Sequence, residues 1–430
     1  MIMSMREYLH NTLVPKLFIC LRENYNFDTL NKDVIAGVSV AIISIPLAMA
    51  LAISCGSIPK IGLITAVIAG SIGSCFGGSR FQISGPTAAF VAIICSIINK
   101  HGYDALIIIT FISGIILIVS GLLRVGFLIK YIPHSIITGF TSGLAVVIFS
   151  TQIKDLLGLN IEHIPIKFWN KWWVYFQHLH SFSINAVLIS TITILLILII
   201  RKKFPKMPIF FIVVVLATSV VSIFNIKIPT IGTKFGVISN YLPSPKLPLY
   251  SLDKLLILLP DILTVTLLAG IESLLSAVIA DNITSTKHNS NVELIAQGLA
   301  NSCSACFGGL PSTGAIARTV ANIKAGGKTP IAGIISALLI FIFIKFFSSI
   351  TSLIPLSCLA AILIIIAWDM SDLKKMRYVL LHYHNIDSLV IMITFLLTIL
   401  TDLVIAIQVG LMLDWGLKKS WSKLLPAPNK

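Results

Sequence analysis

Charge is what this sequence has least of. Lys, Arg, Asp and Glu make up 11% of its 430 residues, and only 17 are acidic, against about 25% charged in a soluble globular chain. With 56% of its residues hydrophobic, the chain cannot cover its apolar surface in water, which excludes a soluble enzyme or cytosolic binding module. A disulfide framework is missing too: the seven cysteines (Cys20, Cys55, Cys75, Cys95, Cys303, Cys306 and Cys358) are odd in number and lie mostly in apolar stretches. Cys303 and Cys306 have the spacing of a redox or metal pair, but no second Cys or His cluster accompanies them. They read as small residues buried in a helix, and neither a metal nor a cofactor is expected. Residues 1–32 lack the apolar core and small-residue cleavage site of a secretory leader. Nor is there room for a soluble domain, so the expectation is a bare membrane domain.

What the chain does have is apolar runs near the length of about 20 residues that a helix needs to cross a bilayer, for example around 186–200 and 331–347. Basic residues exceed acidic ones by 15. They are scattered through inter-helix loops, as in cytoplasmic loops of membrane proteins, rather than gathered into a nucleic-acid-binding domain. Fourteen spans are expected. An arm at 1–32, ending on a cap at Asn31, Lys32 and Asp33, precedes spans at about 33–53, 61–78, 86–98, 103–123, 134–152, 183–201 and 207–225. A Pro- and Gly-bearing loop at 226–254 leads to spans at about 255–280, 291–308, 313–324, 329–347, 353–368, 386–402 and 403–418, with a tail at 419–430. Pro46 should kink the first span. Trp169, Trp172 and Trp173, in the loop after span five, suit an interfacial aromatic belt.

The two halves repeat each other. Ala36–Gly37 matches Ala269–Gly270, Cys75–Gly78 matches Cys306–Gly309, and Ile132–Ser135 matches Ile354–Ser357, in the same order. Seven spans per half is odd, so the second copy enters the membrane from the opposite side, giving an all-α, 7+7 inverted repeat. Both termini then share a side, and the excess of Lys and Arg there makes it cytoplasmic. The expected location is the inner membrane of a bacterium, crossed many times.

After each matched Cys-Phe-Gly-Gly comes a break of small residues and a proline. Gly85, Pro86, Thr87 and Ala88 open the short third span; Ser312, Thr313, Gly314 and Ala315 open the short tenth. Interrupted segments at matching positions of two halves point to a transport site. Each half-helix start offers free N–H groups and about half a positive charge, a ready site for an anion. Small residues packing helices together would leave a similar pattern, but two breaks in register favour the site. Arg318, one turn into span ten, is functional by default, unless it snorkels to an interface. Glu272 reads as the one carboxylate deep in the second half, with Asp261 and Asp281 nearer the span ends. It could pair with Arg318 or hold a coupling H+ or Na+, with Ser276 one turn on as a second oxygen. His134, His163 and His288, at span ends or in loops, read as structural or incidental. Asp369, Asp372 and Asp387 are scattered, with no paired acidic or His-Asp motif of a membrane enzyme, so no enzyme activity is expected.

The stretches Asp33–Gly37, Ile45–Met49, Gly78–Thr87, Ala269–Ser276, Gly298–Asn301, Thr313–Thr319 and Gly326–Thr329 resemble the sulfate permease (SulP) family of anion transporters across nearly the whole chain. The resemblance implies a core domain (spans one to four and eight to eleven) rocking against a gate domain (the rest), commonly in a homodimer. It places the anion between the third and tenth helices, with the basic position at Arg318 and the acidic position of the eighth helix at Glu272. Most members carry a cytoplasmic STAS domain after the last span, and none is expected in this chain. Many sulfate-transporting members have Gln where this chain has Leu47. The sodium-bicarbonate branch has Asp at the Glu272 position and Thr near Ile316. Proton-coupled symport of sulfate, bicarbonate or a dicarboxylate is the expectation. The alternatives are a Na+-coupled bicarbonate symporter, an anion exchanger or a channel.

Overall fold

The computed structural model describes residues 13–23, 25–127, 133–161, 164–165, 168–204, 209–236, 241–248, 252–371, 386–401, 405–406, 409–410 and 412–414. The expected features at Ile132, His163 and Asp372, and most of the fourteenth span, lie outside them. After a short helix α1 (Lys16–Arg22), the first half contains α2 (Phe27–Ser54), α3 (Pro59–Phe76), α4 (Val91–His101), α5 (Tyr103–Leu122), α6 (His134–Leu157), α7 (Phe168–Gln177), α8 (Ile184–Lys203) and α9 (Ile209–Ile223). The short α10 (Ile231–Phe235) precedes α11 (Leu252–Thr284), α12 (Ser290–Cys306), α13 (Ile316–Lys324), α14 (Ile331–Thr351), α15 (Leu356–Met370) and α16 (Ile386–Leu400).

Six of the described helices are long and apolar enough to cross a bilayer by length and composition. Their surfaces fit that solvent. On α8, Ile184, Leu188, Ile192, Leu195 and Ile199 are each half-exposed or more, an unbroken apolar stripe at helical spacing that suits lipid and not water.

The first span begins earlier than the sequence reading placed it. Asn26, not Asn31–Asp33, is the cap, its side chain accepting from the Thr29 N–H at 2.9 Å. Asp33 is wholly buried instead. It accepts from the N–H groups of Lys328 (2.7 Å) and Thr329 (3.0 Å) and from the Thr329 hydroxyl (2.5 Å). A carboxylate taken into a helix interior needs such donors, and here they tie α2 to the turn before α14. The inter-repeat loop is likewise docked: Ile231 and Gly232 donate to Ile354 (2.9 Å) and Ser352 (2.7 Å), and Leu356 donates to Pro229 (3.0 Å).

The inverted repeat is visible in which helices pack together. The spans of the first half are α2, α3, α4, α5, α6, α8 and α9; those of the second begin α11, α12, α13, α14, α15 and α16. α2 packs on α14 as α11 packs on α5; α3 packs on α14 as α12 packs on α5; α6 packs on α16 as α8 packs on α15. Each pair becomes the other when every span is replaced by its counterpart. Gly114 of α5 and Gly298 of α12 meet backbone to backbone: a Cβ on Gly114 would lie 2.6 Å from the Gly298 carbonyl oxygen, and one on Gly298 2.5 Å from that of Gly114. Small residues allow such an approach, as is common between helices in membranes. Two bodies result, α2–α5 with α11–α14 and α6, α8 and α9 with α15 and α16, meeting along α2 and where α6 touches α4 and the turn at Ala88–Phe90.

Candidate functional site

The two breaks meet. Residues 84–85 (β1) and 313–314 (β2) form a two-residue antiparallel ladder, with Ser84 opposite Gly314 and Gly85 opposite Thr313. Opposite chain directions across that ladder are what an inverted repeat requires of two equivalent segments. The Ala315 N–H also donates to the Ile83 carbonyl at 2.8 Å. From this crossing the chain turns into a 3-10 turn at Ala88–Phe90 leading to α4, and into α13.

Neither helix start is capped by a side chain: Thr87 and Ala315 occupy the cap positions without donating or accepting there. The opening N–H groups at Ala88 and Ala89, and at Ile316, Ala317 and Arg318, are therefore the orphan donors that every uncapped helix start leaves. The Thr87 hydroxyl turns instead to Glu272, donating to Oε2 at 3.1 Å. Glu272 is buried on α11, so the acidic position and the first break are in direct contact.

Arg318 is only 1% exposed, which rules out the snorkelling alternative. Its Nη2 donates to the Pro86 carbonyl at 2.9 Å, a bond from the second break's helix to the first break. Its Nε has no partner, and it forms no ion pair among the described residues, Glu272 included. Gly85 makes room for the guanidinium: a Cβ there would sit 2.1 Å from Arg318 Nη1. Gly85→Ala is accordingly expected to push the guanidinium aside and lower anion affinity by about tenfold, a loss of about 1.4 kcal/mol. Gly85 also has a φ of +157°, which L side chains rarely adopt, so some loss of thermal stability should accompany the loss of affinity. Anion-dependent thermal stabilisation and initial uptake rates in proteoliposomes would report the two effects separately.

Other residues singled out from the sequence are placed differently. Ser312 is spent on the scaffold: its N–H donates to Asn301 Oδ1 at 2.7 Å and its hydroxyl to the same atom at 3.4 Å. The Gly314 N–H donates to Ser273 Oγ at 3.1 Å, and the Thr313 hydroxyl to the Gly314 carbonyl at 3.1 Å. The Ser276 hydroxyl donates to Thr319 Oγ1 at 3.4 Å; that oxygen also accepts from the Ile83 N–H at 3.1 Å. Gly85, Pro86, Thr87, Ala88, Ala315, Arg318 and Glu272 thus gather at the crossing, with Ser312, Thr313, Gly314 and Ser276 holding its frame.

Glu272 is not the one deep carboxylate of the second half. Glu293 of α12 is 1% exposed and accepts four hydrogen bonds: from the N–H groups of Gly78 (2.8 Å) and Ser79 (3.2 Å), and from Nε2 of Gln82 and of Gln297 (2.9 Å each). Gln297 Nε2 also donates to Ser84 Oγ at 2.6 Å, and Asn301 Nδ2 to the Ser312 carbonyl at 2.9 Å. Glu293, Gln297 and Asn301 recur every four residues, so one face of α12 holds both breaks. That polar stripe was the available signal. His288 does prove structural, its Nδ1 lying 2.7 Å from Asp281 and its Nε2 2.9 Å from Ser290 Oγ in the turn between α11 and α12.

Comparison with known proteins agrees with this architecture. The sulfate permease family model matches residues 30–394. A putative sulfate transporter of Bacillus subtilis, YvdB, is 41% identical over 392 residues, covering 91% of this chain and 74% of that protein. The bicarbonate transporter BicA of Synechocystis is 31% identical over 404 residues, covering 90% and 69%. Among solved structures, the transmembrane domain of a cyanobacterial BicA superposes with TM-score 0.80 at 29% identity, over 89% of this chain and 98% of that one. Murine Slc26a9 in its inward-facing state shares the fold with TM-score 0.86 at 17% identity, over 98% and 73%. The chain belongs to the sulfate permease family, with that family's 7+7 inverted-repeat membrane fold, and is a transporter and not an enzyme.

Proposed function

We propose that this protein is a secondary active transporter of small anions, in which the substrate sits where the two half-helix starts converge and Arg318 faces it. The observation that carries this reading is the buried, ion-pair-free guanidinium beside two uncapped helix starts. An unpaired buried charge is costly, and a bound anion supplies the missing partner. Two half-charges and one guanidinium sum to about +2, enough for a dianion such as sulfate. The contacts assigned to substrate are the N–H groups at Ala88 and Ala89, those opening α13 at Ile316–Arg318, and the Arg318 guanidinium, with Gly85–Thr87 lining the site. Transport proceeds by movement of the α2–α5/α11–α14 body against the other. A proton on Glu272 is the preferred coupling ion, and the protein works as a homodimer in a bacterial inner membrane with both termini cytoplasmic.

Bicarbonate transport is the second reading, favoured by the likeness to the bicarbonate transporter BicA in sequence and structure, and Na+ would then be its coupling ion. Uptake of labelled sulfate, bicarbonate and a C4-dicarboxylate into proteoliposomes, under an imposed pH or Na+ gradient, separates them. Accumulation with the pH gradient alone supports proton symport, and accumulation with Na+ alone supports the second reading. Failure to move any of these anions in either condition, or by exchange, would overturn both.

A further inference from the structure

The repeat that brings the two breaks together is not symmetric in its side chains. In the register that matches Cys75 with Cys306, Glu293, Gln297, Asn301 and Ser304 of α12 stand where α3 has Gly62, Ala66, Gly70 and Gly73. The small face of α3 serves close approach. A Cβ on Gly62 would lie 2.0 Å from the Ala48 carbonyl oxygen of α2, and one on Gly73 2.3 Å from Ser84 Oγ. The polar face of α12 does the holding. Asn301 takes Ser312 of the second break, and Ser304 Oγ donates to the nearby Leu310 carbonyl at 3.0 Å. Gln297 takes Ser84, at the first break.

Gln297 is oriented for that contact at a cost. Its Oε1 is buried with no partner, an arrangement that stability alone does not favour. Glu293 accounts for it: only the N–H end of a carboxamide can meet a carboxylate. Nε2 is therefore turned to Glu293 at 2.9 Å and to Ser84 Oγ at 2.6 Å. The Ser84 hydroxyl makes no other hydrogen bond among the described residues. The next residues are held differently. Pro86 is bonded to Arg318 and Thr87 to Glu272, groups that the transport reading has changing partners as anion and proton arrive. Gln297 is the nearest side-chain hold on the first break that depends on neither.

We propose that Gln297 is a positioning residue for the first half-helix start and sets the preference for a dianion over a monoanion. The inference rests on the anion-transport reading for its ligand. A dianion gains most when both helix starts and Arg318 are fixed around it. A monoanion gains half as much from the same field, and loses half as much when the first start drifts.

Ser84→Ala removes only the hydroxyl that Gln297 holds, and Gln297→Leu removes the donor. Dissociation constants for sodium sulfate and sodium bicarbonate, with gluconate holding ionic strength constant, are read by titration calorimetry on the purified full-length protein. Each variant is expected to weaken sulfate binding by about tenfold and bicarbonate binding by about threefold, half the free energy. The double variant should do no more than either alone, because both remove one bond. Amide exchange should quicken in both variants in the peptide carrying Ala88–Phe90 and stay as in the wild type in the one carrying Ile316–Arg318. Gln297→Leu also takes one of four donors from Glu293, so it should melt below Ser84→Ala while shifting selectivity equally. Selectivity that tracks melting temperature, equal losses for the two anions, an additive double variant, or wild-type affinities in Ser84→Ala would each overturn the proposal. A wild type that binds neither anion is a separate result: it overturns the transport reading, and this inference with it.

Discussion

Arg318→Met is expected to lower kcat/KM for anion uptake by about 100- to 1,000-fold, or about 3–4 kcal/mol, without lowering the melting temperature. A hydrogen bond to a charged group contributes about 1.5–3 kcal/mol, and the Coulombic attraction to the anion adds to it. Stability should not fall, because the guanidinium has no described carboxylate to orphan. Replacing a buried charge by an apolar residue of similar length is often neutral or stabilising, which offsets the lost bond to Pro86, worth about 1.5–3 kcal/mol as a bond from a charged group. Methionine is preferred to alanine for its bulk beside Gly85. Arg318→Lys keeps the charge but lacks the planar fork, so it cannot hold both Pro86 and an anion and should fall between. The loss should be larger for sulfate than for a monoanion, since the charge product is doubled. Equal losses would mean that Arg318 only braces the two breaks, and wild-type kinetics would remove the anion from this site altogether.

What could be read in advance was the backbone architecture. Proline and small residues interrupting two apolar segments at matching positions mark the breaks locally, and the repeated Cys-Phe-Gly-Gly phrase puts them in register. A helix interior also advertises Arg318, because the alternatives for a charge in an apolar run are few. The side-chain frame was hidden for a different reason. Glu293 sits in the first turn of α12, where a carboxylate ordinarily faces solvent and favours the helix dipole. Its burial comes from the Gly78–Ser79 turn folding over it, a partner more than 200 residues away. Ser312 looks like an open donor until Asn301 is brought against it, and Ser276 like an ion ligand until Thr319 arrives. The start of α2 was misplaced because Asp33 has a cap's chemistry but is claimed by Lys328 and Thr329.

Glu272→Gln is expected to abolish anion accumulation driven by a pH gradient while leaving counterflow of the same anion largely intact. The charges at the crossing explain the split. With Glu272 ionised, its negative charge offsets one of the roughly two positive charges contributed by Arg318 and the helix starts; protonated, it leaves all of them for the substrate. Two unit charges several ångströms apart at an effective dielectric constant of about 20 interact by about 2–3 kcal/mol. Proton and monoanion therefore raise each other's affinity by about 30- to 100-fold, proton and dianion by more, and linkage makes the effect reciprocal. Glutamine fixes the neutral form and keeps an oxygen to accept from the Thr87 hydroxyl, so the site stays assembled and permanently primed for anion. Such a variant can still bind and shuttle its substrate but has no proton to carry with it. Its affinity for sulfate should be at or above that of the wild type and should lose its dependence on pH between the two faces of the membrane. Concentrative uptake that survives the substitution would move the coupling proton elsewhere, with Glu293 the next carboxylate to test. Loss of counterflow together with accumulation would instead make Glu272 a brace for the first break, acting through Thr87 and not through a proton.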